Sequence, residues 1–205
     1  MKISIIGSGN MGQGLARLLS AKHEVTLVSR QASADGAKLP GVASATYADG
    51  VSEAEVVFFA LPYEGVSAAA EKLGDLAGKL VVDITNPLTA DYMGLTLGYS
   101  TSAGEQIAAL FPQAKVVKAF NTIFAPVLAL AAQGAKSLPT VLIAGDDADA
   151  KETVRQLATD MGFSAVIAGP LSTARYLEPL GGLQIRLAYA EGHGAEVGFT
   201  FGPVA

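Results

Sequence analysis

The chain contains no cysteine, no tryptophan and only two histidines, and none of its apolar runs is long enough to cross a bilayer. Each absence excludes a class of chemistry. Without cysteine there is no disulfide framework, no thiolate nucleophile and no cysteine-ligated zinc, which fits a reducing compartment. Neither His23 nor His193 has a plausible nucleophile or carboxylate partner in sequence, so no Ser–His–Asp set can be assembled. No metal-ligand spacing is present either, because the acids of GDDADAKE (145–152) read as helix N-terminal charges. Runs such as EVVFFALP (55–62) are strand-length, well short of the ~20 residues a spanning helix needs. The start runs from Met1-Lys2 straight into a strand and then Gly7 without a secretory pattern, so a cytoplasmic location is expected. Charge is scarce as well. Charged residues make up 16%, and the net charge of −5 argues against nucleic acid or an anionic membrane as partner and leaves a small molecule.

What the chain has in quantity is core. Half of its 205 residues are hydrophobic and the mean hydropathy is +0.38, enough for one well-buried domain with a small appendage. Near-continuous apolar runs at 2–6, 24–28, 55–61, 79–84, 114–120, 140–145 and 164–169 read as strands covered on both faces. Between them lie helix patterns: 10–20 with Met11, Leu15, Leu18 and Leu19 in register, 64–78 ending at Gly78, 102–110 opening on a Ser102/Glu105 capping box, and 146–162. Strand–helix alternation of this kind predicts an α/β fold: a Rossmann-type doubly wound, mostly parallel sheet. Leu177, Leu180, Leu183 and Leu187 then recur at helical spacing before a Gly-rich tail. The expected organisation is a dinucleotide-binding domain over 1–168 and a small helical C-terminal extension over 169–205.

The first strand runs directly into IIGSGNMGQG, where Gly7, Gly9 and Gly12 form a GxGxxG. In that setting Gly7 permits the tight turn, Gly9 lets backbone approach a pyrophosphate and Gly12 allows close helix–strand packing. Ser8 faces the same region, and Asn10 and Met11 bring N–H groups at the helix start, where anions are favoured. The alternative is an ordinary glycine-rich turn. Strand two supplies the second clue. NAD sites end this strand in an acid that takes the ribose 2′-OH, whereas here VTLVSR ends in Ser29 and Arg30. A guanidinium can fork onto phosphate oxygens and a hydroxyl can donate to them, so the pair predicts NADP(H) rather than NAD(H).

Three more segments fall at carboxyl ends of strands, where such sheets bind ligands: ALPYEG (60–65), ITNPL (84–88) and KAFNTI (118–123). Leu61, Pro62, Asn86, Pro87, Leu88, Asn121 and Thr122 would wall a rigid, mostly apolar cleft with amide handles, suited to nicotinamide and a flat acceptor ring. The competing view is that Pro and Asn only form turns. Asp83 and Lys118 are strand-end polar residues, Asp83 read as a turn or capping residue. No catalytic side chain stands out, and hydride transfer between two cofactors needs alignment more than proton chemistry.

IGSGNMGQGLARLL, LVSR, ALPYEGV, VVDITNPL, VVKAFNTIFA, VLIAGDD and AGPLSTARYLEPLGGLQIRLAY together resemble the NADPH-dependent coenzyme F-420 reductase family, to which the N-terminal oxidoreductase domain of the STEAP metalloreductases is similar. The resemblance implies that Ser8, Gly9, Asn10 and Met11 bind the pyrophosphate and that Ser29 and Arg30 bind the 2′-phosphate. It further implies that the loops at Leu61–Pro62, Asn86–Leu88 and Asn121–Thr122 surround nicotinamide and acceptor. Its reaction is hydride transfer between NADPH and a deazaflavin, and its members are homodimers joined partly through C-terminal helices. Asn121 stands where deazaflavin-using archaeal members carry His, so coenzyme F-420, an ordinary flavin and another acceptor such as a ferric chelate all stay open. A pyrroline-carboxylate or hydroxyacid reductase would need a far larger helical domain than ~40 residues. A sensor of NADP(H) without turnover is the alternative from another class.

Arg30→Ala is expected to weaken NADPH binding by ~1–3 kcal/mol, the range for a charge-assisted hydrogen bond, while leaving NADH binding unchanged. Parallel titrations with the two nucleotides check it, and equal losses for both would mean that Arg30 acts through folding.

Overall fold

In the computed structural model, which describes residues 1–30 and 39–203, eight strands form one sheet in the order β3-β2-β1-β4-β5-β6-β7-β8. The strands are β1 (Lys2–Ile6), β2 (Glu24–Val28), β3 (Val42–Ala45), β4 (Val56–Phe59), β5 (Leu80–Asp83), β6 (Lys115–Lys118), β7 (Val141–Gly145) and β8 (Ala165–Gly169). The first six run parallel. β7 lies antiparallel to β6, and β8 runs with β7. The chain leaves β1 towards β2 and β3, then returns to β4 on the other flank, so the order reverses between β1 and β4. That is the crevice where doubly wound sheets take their ligand.

The strand composition explains why the sheet is buried on both faces. Along β1, Ile3 and Ile5 join one core layer and Ile6 the other; along β4, Val56 and Phe58 face one way, Val57 and Phe59 the other. Successive side chains of a strand point to opposite faces, so a run such as VVFF serves two layers at once. Strand β3 was not expected from sequence. VASA is short, weakly apolar and half-exposed, because an edge strand has one neighbour and little surface to bury.

Six α-helices occur among the described residues: α1 (Asn10–Leu19), α2 (Val66–Ala70), α3 (Ala103–Leu110), α4 (Ala125–Ala132), α5 (Ala148–Asp160) and α6 (Ala174–Ile185). The helix expected over 64–78 is only α2, preceded by a 3-10 turn at Tyr63–Gly65. Its extension fails because Gly74 and Asp75 follow, and the Asp75 carboxylate accepts the Ala77 N–H (2.9 Å) in a turn of its own. The capping box at α3 forms: the Ser102 hydroxyl accepts the Glu105 N–H (3.2 Å) and donates to its carboxylate (2.7 Å). Asp147 caps α5 by accepting the Ala150 N–H. His23, read as having no carboxylate partner, has one across the fold: its Nε2 lies 3.1 Å from Asp160, at the far end of α5.

The C-terminal segment lies against the sheet. After α6 and a π-helical turn at Arg186–Ala190, the tail returns so that the Thr140 N–H, just before β7, donates to the Phe199 carbonyl (2.9 Å). The last two residues of the expected extension, 204 and 205, lie outside the described residues. The tightest tie is electrostatic. Lys118, at the end of β6, is fully buried and donates to Asp83 on β5 (2.6 Å), to the Thr85 carbonyl (2.6 Å) and to Glu178 on α6 (2.7 Å). Glu178 also accepts the N–H groups of Ala103 (2.9 Å) and Gly104 (3.0 Å) at the start of α3. Asp83 accepts the Thr85 N–H at 2.8 Å, the turn role expected of it, but within an ion cluster that single-residue reasoning did not reveal. On the outside, Arg175 forks onto Glu105 (2.6 and 2.9 Å) and holds the Glu105 carboxyl below its usual range.

Candidate functional site

The parallel registers bring five strand ends onto one line: Ile6 pairs with Val28 and with Phe59, Phe59 with Asp83, and Asp83 with Lys118. The segments that leave these ends, the first turn of α1 included, contain every site residue expected from sequence. They are tied to one another by backbone bonds, from the Gly7 N–H to Val28 (2.8 Å), Ala60 to Ile6 (2.9 Å) and Ala119 to Asp83 (3.1 Å).

The three glycines divide by role. Gly7 has φ +115°, and a Cβ there would lie 2.3 Å from the Ala60 carbonyl oxygen. A Cβ on Gly12 would lie 1.9 Å from the Gly7 carbonyl oxygen. The protein's own packing therefore requires both. Gly9 differs: its φ is −71°, and a Cβ there would meet nothing within 4 Å. Its bareness answers no need of the chain itself, and it leaves the helix start open to an approaching group. No side chain caps α1, and its first turn carries no acid. The Gln13 amide bonds back to the Ser8 carbonyl (2.8 Å), leaving the N–H end of the helix turned to the crevice. These features fit a dinucleotide pyrophosphate. Ser29 follows β2 half-buried, its N–H on the Ala45 carbonyl (3.2 Å), and Arg30 is exposed beside it.

A cleft of about 840 Å³ opens from this loop along the edge. Residues 9–11, 60–64, 84–86 and 88–90 line it, with Tyr92 and Thr96, and Glu64 is the one charged residue among them. Of the expected residues, Gly9, Asn10, Met11, Leu61, Pro62, Asn86 and Leu88 reach this wall. Gly7 and Gly12 shape the turn beneath it. Pro87 is buried, and its carbonyl accepts Thr96 (2.7 Å from N–H, 3.1 Å from the hydroxyl). Asn121 and Thr122 lie buried behind the cleft. Asn121 acts through Asn86: its amide donates to Asn86 Oδ1 (3.0 Å) and the Leu177 carbonyl (2.7 Å), while Asn86 donates to the Asn121 carbonyl (2.8 Å). Gly181 on α6 permits this approach, since a Cβ there would come within 2.9 Å of the Asn86 amide. Phe120, buried at φ +60°, sits in a conformation bulky residues rarely adopt, and it turns the chain sharply from Lys118 to Asn121.

Sequence reasoning missed Tyr63, Thr85, Thr89, Tyr92 and Thr96, most of them on the irregular segment 88–101. Tyr92 and Tyr99 both adopt positive φ there, a signal visible only in the backbone. Burial pushes the Tyr63 phenol up, Glu178 and Asp83 add to the shift, and Lys118 opposes it. The phenol therefore stays protonated at neutral pH.

Fold and site together define a Rossmann-type dinucleotide-binding protein. Residues 2–87 match the family described as NADP oxidoreductase, coenzyme F420-dependent. A protein from Arthrobacter sp. FB24, described as a 'putative F420 dependent NADP-reductase', has a similar structure over 99% of this chain and 100% of its own, at 34% identity and a TM-score of 0.85. The chain belongs to this family of NADP-dependent oxidoreductases. A hypothetical protein from Sinorhizobium meliloti is 27% identical over 85% of this chain and 88% of its own, with a TM-score of 0.75. Among curated proteins, rat metalloreductase STEAP3 is 37% identical over 181 residues, 87% of this chain but 36% of the relative's length. The chain thus spans about a third of the curated relatives it matches. A reductive aminase from Aspergillus terreus, 18% identical with a TM-score of 0.64, shares the fold. Among the described residues no helix is long and apolar enough to cross a membrane.

The glycines give a paired prediction. Gly9→Ala should melt within about 3 °C of the wild type, because its Cβ meets open space and a changed N-cap costs well under ~1–2 kcal/mol. It should nonetheless raise the Kd for NADPH at least about tenfold, a loss near 1.4 kcal/mol. Gly12→Ala should lower the melting temperature clearly. Thermal melts and NADPH titration of both variants check this, and unimpaired nucleotide binding by Gly9→Ala would count against the site.

Proposed function

We propose that the protein is an NADPH-dependent reductase that passes hydride to a flat, flavin-like acceptor held in the 840 Å³ cleft, with coenzyme F-420 the first candidate. One observation carries the reading: a bare, sterically unforced Gly9 at an uncapped helix start, on the same sheet edge as a strand that ends in Ser29–Arg30 instead of an acid. Gly7, Ser8, Gly9, Asn10, Met11 and Gly12 would hold the pyrophosphate, and Ser29 and Arg30 the 2′-phosphate. The bound nucleotide supplies the hydride. Leu61, Pro62, Asn86 and Leu88 wall the cleft where the nicotinamide half would lie, with Pro87, Asn121 and Thr122 fixing the wall from behind. Glu64 is the one charged side chain lining it, and Tyr63 keeps its proton. The chain's contribution is alignment and exclusion of water, which suffices when both partners are cofactors.

The names of relatives bear on the acceptor. The Arthrobacter neighbour favours coenzyme F-420, while the STEAP relatives, metalloreductases by name, favour a metal acceptor such as a ferric chelate. Exposed Met93, Leu183 and Tyr189, near the C-terminal helix, support a homodimer, and use of the NADPH pool in a cysteine-free chain supports a cytoplasmic site. Absorbance at 340 nm decides between enzyme and sensor. Loss of NADPH with F-420, FMN or ferric chelate is the expected result. Tight binding without turnover on any of the three would favour a sensor.

A further inference from the structure

The ion cluster is not electrically balanced. Asp83 and Glu178 carry two formal negative charges against the single positive charge of Lys118, and all three side chains are buried to 1% exposure or less. The N-terminal amides of α3 offset part of the excess, since a helix start carries about half a positive charge. A negative surplus remains, away from water, where fields are weakly screened. The cluster is also coupled to the cleft wall. Thr85 lines the cleft, and both its backbone polar groups are held by the cluster, N–H to Asp83 and carbonyl to Lys118. Tyr63, on the same wall, senses all three charges, with the carboxylates and the ammonium acting in opposite directions.

Stability alone does not account for such an arrangement. A buried ion pair contributes little net stability compared with apolar packing, and an odd charge contributes less. A charge surplus next to a redox site has a function when the ligand's own charge changes during the reaction. Hydride donation turns a neutral dihydronicotinamide ring into a cationic one, the two electrons and the proton leaving together to the acceptor. We propose that the Asp83–Lys118–Glu178 cluster biases the cleft electrostatically towards the oxidised, cationic nicotinamide, and so promotes hydride donation by NADPH. This rests on the reading that NADP(H) occupies the cleft. The three residues act through the field and through Thr85, as positioning residues, without touching the reacting atoms.

The test compares NADP⁺ with NADPH, two ligands that differ in the charge of the nicotinamide ring. In the wild type at low ionic strength, NADP⁺ should bind at least as tightly as NADPH; a tenfold or greater preference for NADPH overturns the proposal. Glu178→Gln removes one negative charge and should shift the ratio of the two dissociation constants by on the order of tenfold towards NADPH, the scale of a unit charge acting through a weakly screened interior. A purely structural role would weaken both nucleotides alike and leave the ratio unchanged, which overturns the proposal. If Glu178→Gln does not fold, Asp83→Asn makes the same charge change, and the wild-type ratio stands as a test by itself. Failure of either nucleotide to bind the wild type would instead overturn the cofactor assignment.

Discussion

The buried ammonium of Lys118 is the constraint on which the rest of this structure depends. Its three acceptors belong to three parts of the chain: Asp83 on β5, the Thr85 carbonyl in the loop after it, and Glu178 on α6. Glu178 passes the link to α3 through two backbone amides. With one side chain, adjacent central strands, a cleft loop, a C-terminal helix and the start of another helix are fixed in one arrangement. A charge cannot be left unpaired at zero exposure, so each of these elements has one acceptable place.

The cleft takes its shape from that arrangement. With α6 held at Glu178, Leu177 presents its carbonyl to Asn121 and Gly181 lies against Asn86, so the amide pair behind the wall is set by the same helix. The other end of the cleft is set by sterics: Gly7 and Gly12 leave room for nothing but hydrogen at their α-carbons. Between the two fixed ends, Gly9 and the 88–101 segment provide open space and adaptable polar groups. A rigid frame around an open centre suits a protein that holds a dinucleotide in a fixed pose.

Much of this was legible in the sequence, and the reasons differ by element. The central strands stood out because a strand covered on both faces is apolar almost throughout; β8 stood out by its AVIAG composition although it is a half-covered edge strand. The turn and packing roles read for Gly7 and Gly12 hold because neither has a steric alternative. β3 did not stand out because an edge strand of VASA buries little. The reversal of β7 against β6 leaves no trace in composition, since the same residues suit either direction. The ion cluster was hidden for a different reason. Asp83 and Lys118 looked like isolated polar residues at strand ends, and only the β5–β6 register makes them neighbours, while Glu178 arrives from a helix read for its leucines. Asn121 was expected at the cleft surface and lies behind it, bonded to Asn86, because the turn at Phe120 directs it inward.

The family model matches residues 2–87, a solved relative of 34% identity covers 99% of the chain, and the relatives carry different names, an F420-dependent NADP-reductase and metalloreductases. The parts they could share are the phosphate-binding loop and the frame, and it is the frame that can be probed most directly. Denaturant unfolding of Lys118→Met, against the wild type, is that probe. Leaving Asp83 and Glu178 buried without their cation should lower the unfolding free energy by about 3–5 kcal/mol. A loss within ~1 kcal/mol, the scale of an exposed pair, would mean the cluster does not hold the fold together.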